Sequence, residues 1–345
     1  MIITVTERGS FRRCHRLWDY TSFNRQALTG VLTRPVFAIG TLVHATLADW
    51  TENPDCNVEE SFIKHSHEMM DLVESNYLKA VGAAISNVEK APYLDNMNMG
   101  YTMINNYIER WGAPLPPGFT LIQPEQQCLI DIPGMPDNWV CKNCKHRWFV
   151  ERNEAPPTYC LACGRDDFLI DRERAQLEGT LDGFVMDANR KMYVLERKTY
   201  GQRPRLDVLQ MNDQFLAYTW ILTQLFPGYA IGGILYDGLY KKDVGGRKPH
   251  VRTLEDLFIR HTFTRTPHEL EEFEENIGAE YRDMINAHGD IMYPNRNWMG
   301  CIDCGMIKLC NAQSRGDDDY ELIKRQNYTL RERHDVDEPD DIDEG

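Results

Sequence analysis

Across the first third of the chain apolar residues recur every three or four positions, the period of a helix with one buried side. On this pattern Gly40 to Trp50 is helical, and 59–90 carries the same spacing. A further helix runs from about 93 to Gly112, after which Pro114, Pro116 and Pro117 break the chain. Residues 119–132 are extended, whereas 137–168 are polar and proline-containing, as expected of an inserted module. Residues 177–187 and 191–198 alternate apolar and polar positions around Ala188-Asn189-Arg190, which predicts a β-hairpin. A helix over 205–225 follows, then strands near 230–240 and 251–264. Thr266, Pro267 and Glu269 supply an N-cap, a first-turn proline and a capping-box carboxylate for a helix ending near 287. The tail from Asp335 has seven acids, no base and almost no apolar content, and is expected to be disordered. The chain therefore divides into a helical part (1–136), an insertion (137–168), a core (169–333) and an acidic tail (334–345).

Composition narrows the picture. At 345 residues, 42% hydrophobic and 26% charged, the chain has material for a substantial core. Its longest apolar run, 215–226, is too short for a bilayer, and no apolar signal core follows the first residues, so a cytoplasmic protein is expected. The net charge of −15 argues against a protein that coats nucleic acid. It is uneven: residues 317–345 hold twelve acids and four bases, while 1–36 hold six arginines and two acids. An enzyme with a local basic groove and a metal-dependent carboxylate site remains compatible.

The strongest chemistry lies in 179–198. With Asn189 at the hairpin centre, residues whose numbers sum to 378 face each other, which sets Asp182 opposite Glu196 and Thr180 opposite Lys198. Opposed carboxylates repel unless a cation lies between them, and hard Mg²⁺ or Mn²⁺ prefers such oxygens. A lysine beside them can orient an attacking water and stabilise charge on a phosphate. The plain alternative is a solvated strand face with charges placed by accident.

Ten cysteines without an export signal point to metal before disulfides. Cys141-x2-Cys144 and Cys160-x2-Cys163 have zinc-ribbon spacing, and so short a segment has no core without its ion. This module is a fold clip or a contacting finger, the latter helped by Lys142, Lys145, His146, Arg147 and Trp148. A second cluster is Cys301-x2-Cys304-x5-Cys310.

Gly179-x-x-Asp182 followed by Glu196-x-Lys198 resembles the catalytic core of the PD-(D/E)XK nucleases. Gly40-x3-His44 is similar to the histidine motif of their RecB-like branch, and Gln214-x3-Tyr218, with Gln210 as an extension, resembles its Q-x3-Y motif. Cys14 with Cys301, Cys304 and Cys310 resembles the iron–sulfur members, AddB-type and CRISPR-associated exonucleases among them. The resemblance implies an α/β fold with a mixed central sheet flanked by helices, a helical N-terminal region and the zinc-ribbon insertion. It implies Mg²⁺ or Mn²⁺ on Asp182, Glu196, His44 and the Arg197 carbonyl, with Lys198 placing water. It also implies Gln214 and Tyr218 on the DNA strand, and a [4Fe–4S] cluster on Cys14, Cys301, Cys304 and Cys310, although four thiolates equally suit zinc. Glu125 is a further site candidate, and Arg8, Arg12, Arg13 and Arg16 are candidates to guide DNA. The expected activity is hydrolysis at DNA ends or single strands. A catalytically silent DNA-binding scaffold and a CRISPR spacer-processing nuclease are the alternatives, with a protein partner for the acidic tail or the ribbon in either case.

Overall fold

Strand β1 (Ile2–Thr4) runs straight into α1 (Val5–Arg13), because Thr4 and Glu7 close a capping box at the junction. The computed structural model describes residues 1–331 apart from 33, 136, 145, 151–157, 167–173, 246–250 and 288–290. The predicted acidic tail lies outside the described residues, as does part of the insertion. After α1 come α2 (His15–Thr21), β2 (Leu28–Gly30), α3 (Pro35–Glu52), α4 (Val58–Val81) and α5 (Asn87–Trp111). Strands β3 (Phe119–Gln123), β4 (Gln126–Asp131), β5 (Asp137–Val140), β6 (Arg147–Val150), β7 (Gln176–Leu181), β8 (Phe184–Asp187) and β9 (Lys191–Tyr200) follow. The remainder is α6 (Leu206–Gln210), α7 (Asp213–Leu225), β10 (Ala230–Tyr240), β11 (Phe258–Phe263), α8 (Pro267–Asn286), α9 (Trp298–Cys301), α10 (Ile307–Arg315), α11 (Tyr320–Asn327) and β12 (Tyr328–Leu330).

The central sheet has the order β11-β10-β9-β8-β3, with β9 and β10 parallel and the other pairs antiparallel. A smaller sheet, β1-β7-β4, shares with it the apolar cluster that contains Leu181, Phe184, Val194, Phe215, Ile221 and Phe263. Helices α7 and α8 close that side, whereas the opposite face carries α3 and α5 through Leu42, Val43, Leu47, Ile104 and Leu239. This is the mixed α/β architecture expected, with a central sheet between helical layers. Among the described residues no helix is long and apolar enough to cross a membrane.

The structure moves several predicted boundaries. The helical pattern over 59–90 breaks at 82–86, where Gly82 ends α4 and Ser86 with Glu89 forms a second capping box. Pro92 consequently lies inside α5 instead of before it. The predicted helix 205–225 is two helices, because the Asn212 side chain accepts from the amides of Gln214 and Phe215 and caps α7. Extended 119–132 is interrupted at Pro124-Glu125, so β3 and β4 enter different sheets. The capping box at Thr266 starts α8 as predicted.

Candidate active site

The predicted pairing rule holds where β8 and β9 meet: Phe184 faces Val194, Val185 faces Tyr193 and Met186 faces Met192. It does not extend to Asp182. The chain bends after β7, which pairs with β4 in the smaller sheet, so Thr180 faces Gln127 and not Lys198. Asp182 therefore stands at the junction of the two sheets, and its Oδ2 accepts the Arg197 amide at 2.6 Å. The junction brings the predicted groups together by another route. Lys198 Nζ lies 2.6 Å from Oε1 of the buried Glu196, and His44 Nδ1 lies 3.6 Å from Asp182 Oδ2.

Two glycines of the motifs explain how the helices come close enough. A Cβ at Gly40 would stand 3.1 Å from Thr199 Oγ1, so glycine lets α3 approach β9 and carry His44 over Asp182. A Cβ at Gly179 would stand 2.9 Å from Ile221 and 3.3 Å from the Tyr218 ring, so glycine seats α7 on β7. There Gln214 Nε2 donates to the Tyr218 hydroxyl at 2.8 Å, and that hydroxyl donates to the Thr180 carbonyl at 2.7 Å. Gln210 lies on α6, off this face, with Nε2 on the Thr264 carbonyl. It is not part of the Gln214–Tyr218 stripe.

Burial separates the two carboxylates electrostatically. It pushes Glu196 up to about 7, reinforced by Asp182 and opposed by Lys198 and His44. At Asp182 burial also raises the carboxyl, but His44, the Arg197 amide and Lys198 together hold it below its ordinary value. Burial lowers Lys198, yet Glu196 and Asp182 outweigh this and the ammonium is favoured. Glu125, at the β3–β4 break, is raised by burial and by Asp182 and also senses His44 and Glu52, so it stands at this centre. Glu52, at the end of α3, carried no motif and was not anticipated from sequence.

These groups suit a hard divalent cation. Glu196 is buried, with the Lys198 ammonium 2.6 Å from its Oε1, and the carboxylate–imidazole set around it supplies the oxygen and nitrogen donors such an ion takes. The Arg197 side chain points to the other side of β9. It is buried and donates to Thr51 Oγ1 at 2.7 Å, while Asp237, its register partner, accepts from Arg260 at 2.8 Å and from the Tyr107 hydroxyl.

The ribbon cysteines converge. Cys141 and Cys163 sulfurs are 3.8 Å apart, those of Cys144 and Cys160 3.5 Å apart, and all four lie within 4.8 Å of one another. Tetrahedral thiolates about 2.3 Å from one ion have edges of about 3.8 Å. The Arg165 amide draws the Cys163 thiol down to about 6. Among the described residues this is the one donor group that tight. Cys14, Cys301, Cys304 and Cys310 instead line a single cavity of about 360 Å³. Lys145 and the side chains of Arg147 and Trp148 lie outside the described residues.

The amino-terminal arginines have partners within the fold. Arg8 is buried, with Nε 2.6 Å from Glu280, and Arg12 pairs with Asp213 and Glu280 at 2.8 and 2.7 Å. Arg13 donates to the Gly300 carbonyl, and Arg16 donates to the Met292 carbonyl at 3.2 Å and to Ser314 Oγ at 2.8 Å beside Cys310. Their charge joins the amino terminus to α8 and to the cysteine cavity.

A family model described as the PD-(D/E)XK nuclease superfamily matches residues 3–311. No curated protein matches the chain.

Proposed function

The chain belongs to the PD-(D/E)XK nuclease superfamily, whose members are metal-dependent nucleases, and within it we propose an exonuclease of the RecB-like type that hydrolyses DNA at ends or in single strands. The observation that carries this reading is the convergence of Asp182, Glu196, Lys198 and His44 where the two sheets join. Asp182 and Glu196 would hold Mg²⁺ or Mn²⁺, with His44 and the Arg197 carbonyl completing the set and Glu125 adjoining it. The cation supplies charge neutralisation and a lowered pKa for water. Lys198 orients the attacking water by donating to its oxygen and stabilises the charge that builds on the phosphate. Gln214 and Tyr218, linked to Thr180, hold the strand beside Asp182 and exclude other poses.

The ribbon sulfurs have the spacing of a zinc site, which supports Zn²⁺ there. The wider setting of Cys14, Cys301, Cys304 and Cys310 supports a [4Fe–4S] cluster, since each thiolate then binds a different iron and the sulfurs stand farther apart than around one ion. The test begins with purified full-length protein, expected to be brown and to hold one equivalent of zinc. End-labelled single- and double-stranded DNA is then incubated with Mg²⁺ or Mn²⁺. Metal-dependent shortening should be lost in Lys198→Ala and Glu196→Ala. Equal inertness of wild type and variants would refute the nuclease, and a colourless protein with two zinc equivalents would refute the cluster.

A further inference from the structure

We infer that Tyr236 is a positioning residue for Lys198: its ring fills the space over Gly238 and so holds the ammonium against Glu196. The inference rests on the reading of this centre as a nuclease site in which Lys198 places the attacking water. Strands β9 and β10 are parallel and in register here, so Tyr236 stands beside Glu196, Gly238 beside Lys198 and Tyr240 beside Tyr200. Side chains alternate between faces along a strand, so these six positions share the face that carries the Glu196–Lys198 pair.

Gly238 shows where the Tyr236 ring lies. A Cβ at this position would stand 2.7 Å from Tyr236 Cε1, 2.9 Å from its hydroxyl and 3.0 Å from Tyr200 Cε1. The ring therefore runs along β10 from the neighbour of Glu196 to the neighbour of Lys198. The Lys198 side chain returns along β9 over the same interval to set Nζ 2.6 Å from Glu196 Oε1. Paired strands are about 4.8 Å apart, so ring and aliphatic stem lie side by side. Gly238 is not among the glycines with positive φ, so the missing Cβ serves this close approach and not a turn. Phe215 and Phe263 fix the Tyr236 ring, with centroids 5.5 and 5.9 Å away, and Tyr240 stacks on Tyr200 at 5.3 Å. A lysine stem beside an empty glycine would have rotamers leading away from Glu196, and the two tyrosines remove them. Tyr236 is 1% exposed, out of reach of a substrate, whereas the Lys198 side chain is 42% exposed. The buried ring thus acts on the reaction through the lysine beside it.

Two measurements on the full-length protein test this. Without added Mg²⁺ or Mn²⁺, a urea double-mutant cycle of Tyr236→Leu and Lys198→Met reads the contact whether or not the protein cuts DNA. The unfolding constants should be non-additive by about tenfold. On end-labelled DNA, Tyr236→Leu should lower kcat about a hundredfold and leave KM and the Mn²⁺ affinity at wild-type values. Tyr236→Phe, which keeps the ring, should retain kcat. Additive urea effects, or a phenylalanine variant as slow as the leucine variant, overturn the assignment. So does a leucine variant in which kcat, KM and Mn²⁺ affinity fail together, as they would for a residue that only supports the fold. A wild type that cuts nothing refutes the nuclease instead, and the urea cycle then decides the contact alone.

Discussion

The two sides of strand β9 carry charge to opposite ends. On one side Glu196 and Lys198 face the junction of the sheets, with Asp182 and His44 beyond them. On the other side Arg197 enters a dry cluster of Asp237, Arg260, Tyr107 and Thr51, contributed by β10, β11, α5 and α3. The first set is left electrostatically open: burial raises Glu196 even though the Lys198 ammonium lies 2.6 Å from its Oε1, and Asp182 adds a second carboxylate to the same centre. The second is closed, with Asp237 accepting from both Arg260 and Tyr107. The open side sets two carboxylates against one ammonium and an imidazole and so has room for a further cation, whereas the carboxylate on the closed side is matched by Arg260 and the Tyr107 hydroxyl. Replacing either by its amide separates the two conditions.

The largest effect is expected at Asp237→Asn. Loss of this charge leaves the nearly buried Arg260 without its counter-ion and beside the buried Arg197, at a cost of about 3–5 kcal/mol, readable as a lowered urea midpoint. Cleavage should fall too, since Arg197 spans from the Asp182 carboxylate to α3. A midpoint within experimental error of wild type would show that solvent reaches the cluster and that the closed side is not closed.

Glu196→Gln should act in the opposite direction. The Glu196 carboxyl titrates near 7, above its ordinary value, so its burial costs nothing below the ordinary carboxylate range. The cost builds as pH rises from the ordinary carboxylate range to about 7, where the unfolded chain gives up this proton and the buried group keeps it, and it is complete above 7. In metal-free protein the amide should thus match wild type near pH 5 and exceed its stability by about 1–3 kcal/mol near pH 8. Excess Mn²⁺ should reverse the order, because wild type alone gains from binding it. An amide that destabilises the metal-free protein at both pH values breaks the comparison.

Much of the open side was legible in the sequence, and almost none of the closed side. Glu196-x-Lys198, Gly179-x-x-Asp182 and Gly40-x3-His44 are local spacings, and their glycines are required by contacts of 2.9–3.3 Å. The hairpin register was legible as far as Phe184, because alternation fixes which residues face each other within a ladder. That β7 leaves for another sheet was not, since it depends on pairing with β1 and β4 from distant segments. The same reason hid the fates of Arg8 and Arg12, whose partners Glu280 on α8 and Asp213 on α7 lie 272 and 201 residues away. The closed cluster draws Tyr107, Arg197, Asp237 and Arg260 from four segments, each unremarkable alone. The helix boundaries at Gly82 and Asn212 were missed for another cause: caps that sit inside continuous apolar periodicity are masked by it.

The smallest effect, at Tyr107→Phe, sharpens the distinction by its lack of pH dependence. The Tyr107 hydroxyl donates to Asp237 and accepts from Arg260, and burial with the nearby Asp237 charge keeps its phenol far above the ordinary tyrosine range. It therefore stays protonated throughout the range in which Glu196 titrates. Its removal costs Asp237 one donor but leaves the Arg260 pair, so about 1–2 kcal/mol is expected. Measured by urea unfolding near pH 5 and near pH 8, this loss should be the same, whereas Glu196→Gln changes across that interval. A loss at Tyr107→Phe that grows with pH would mean the closed cluster titrates with the open one. The strand would then couple its two faces instead of insulating them.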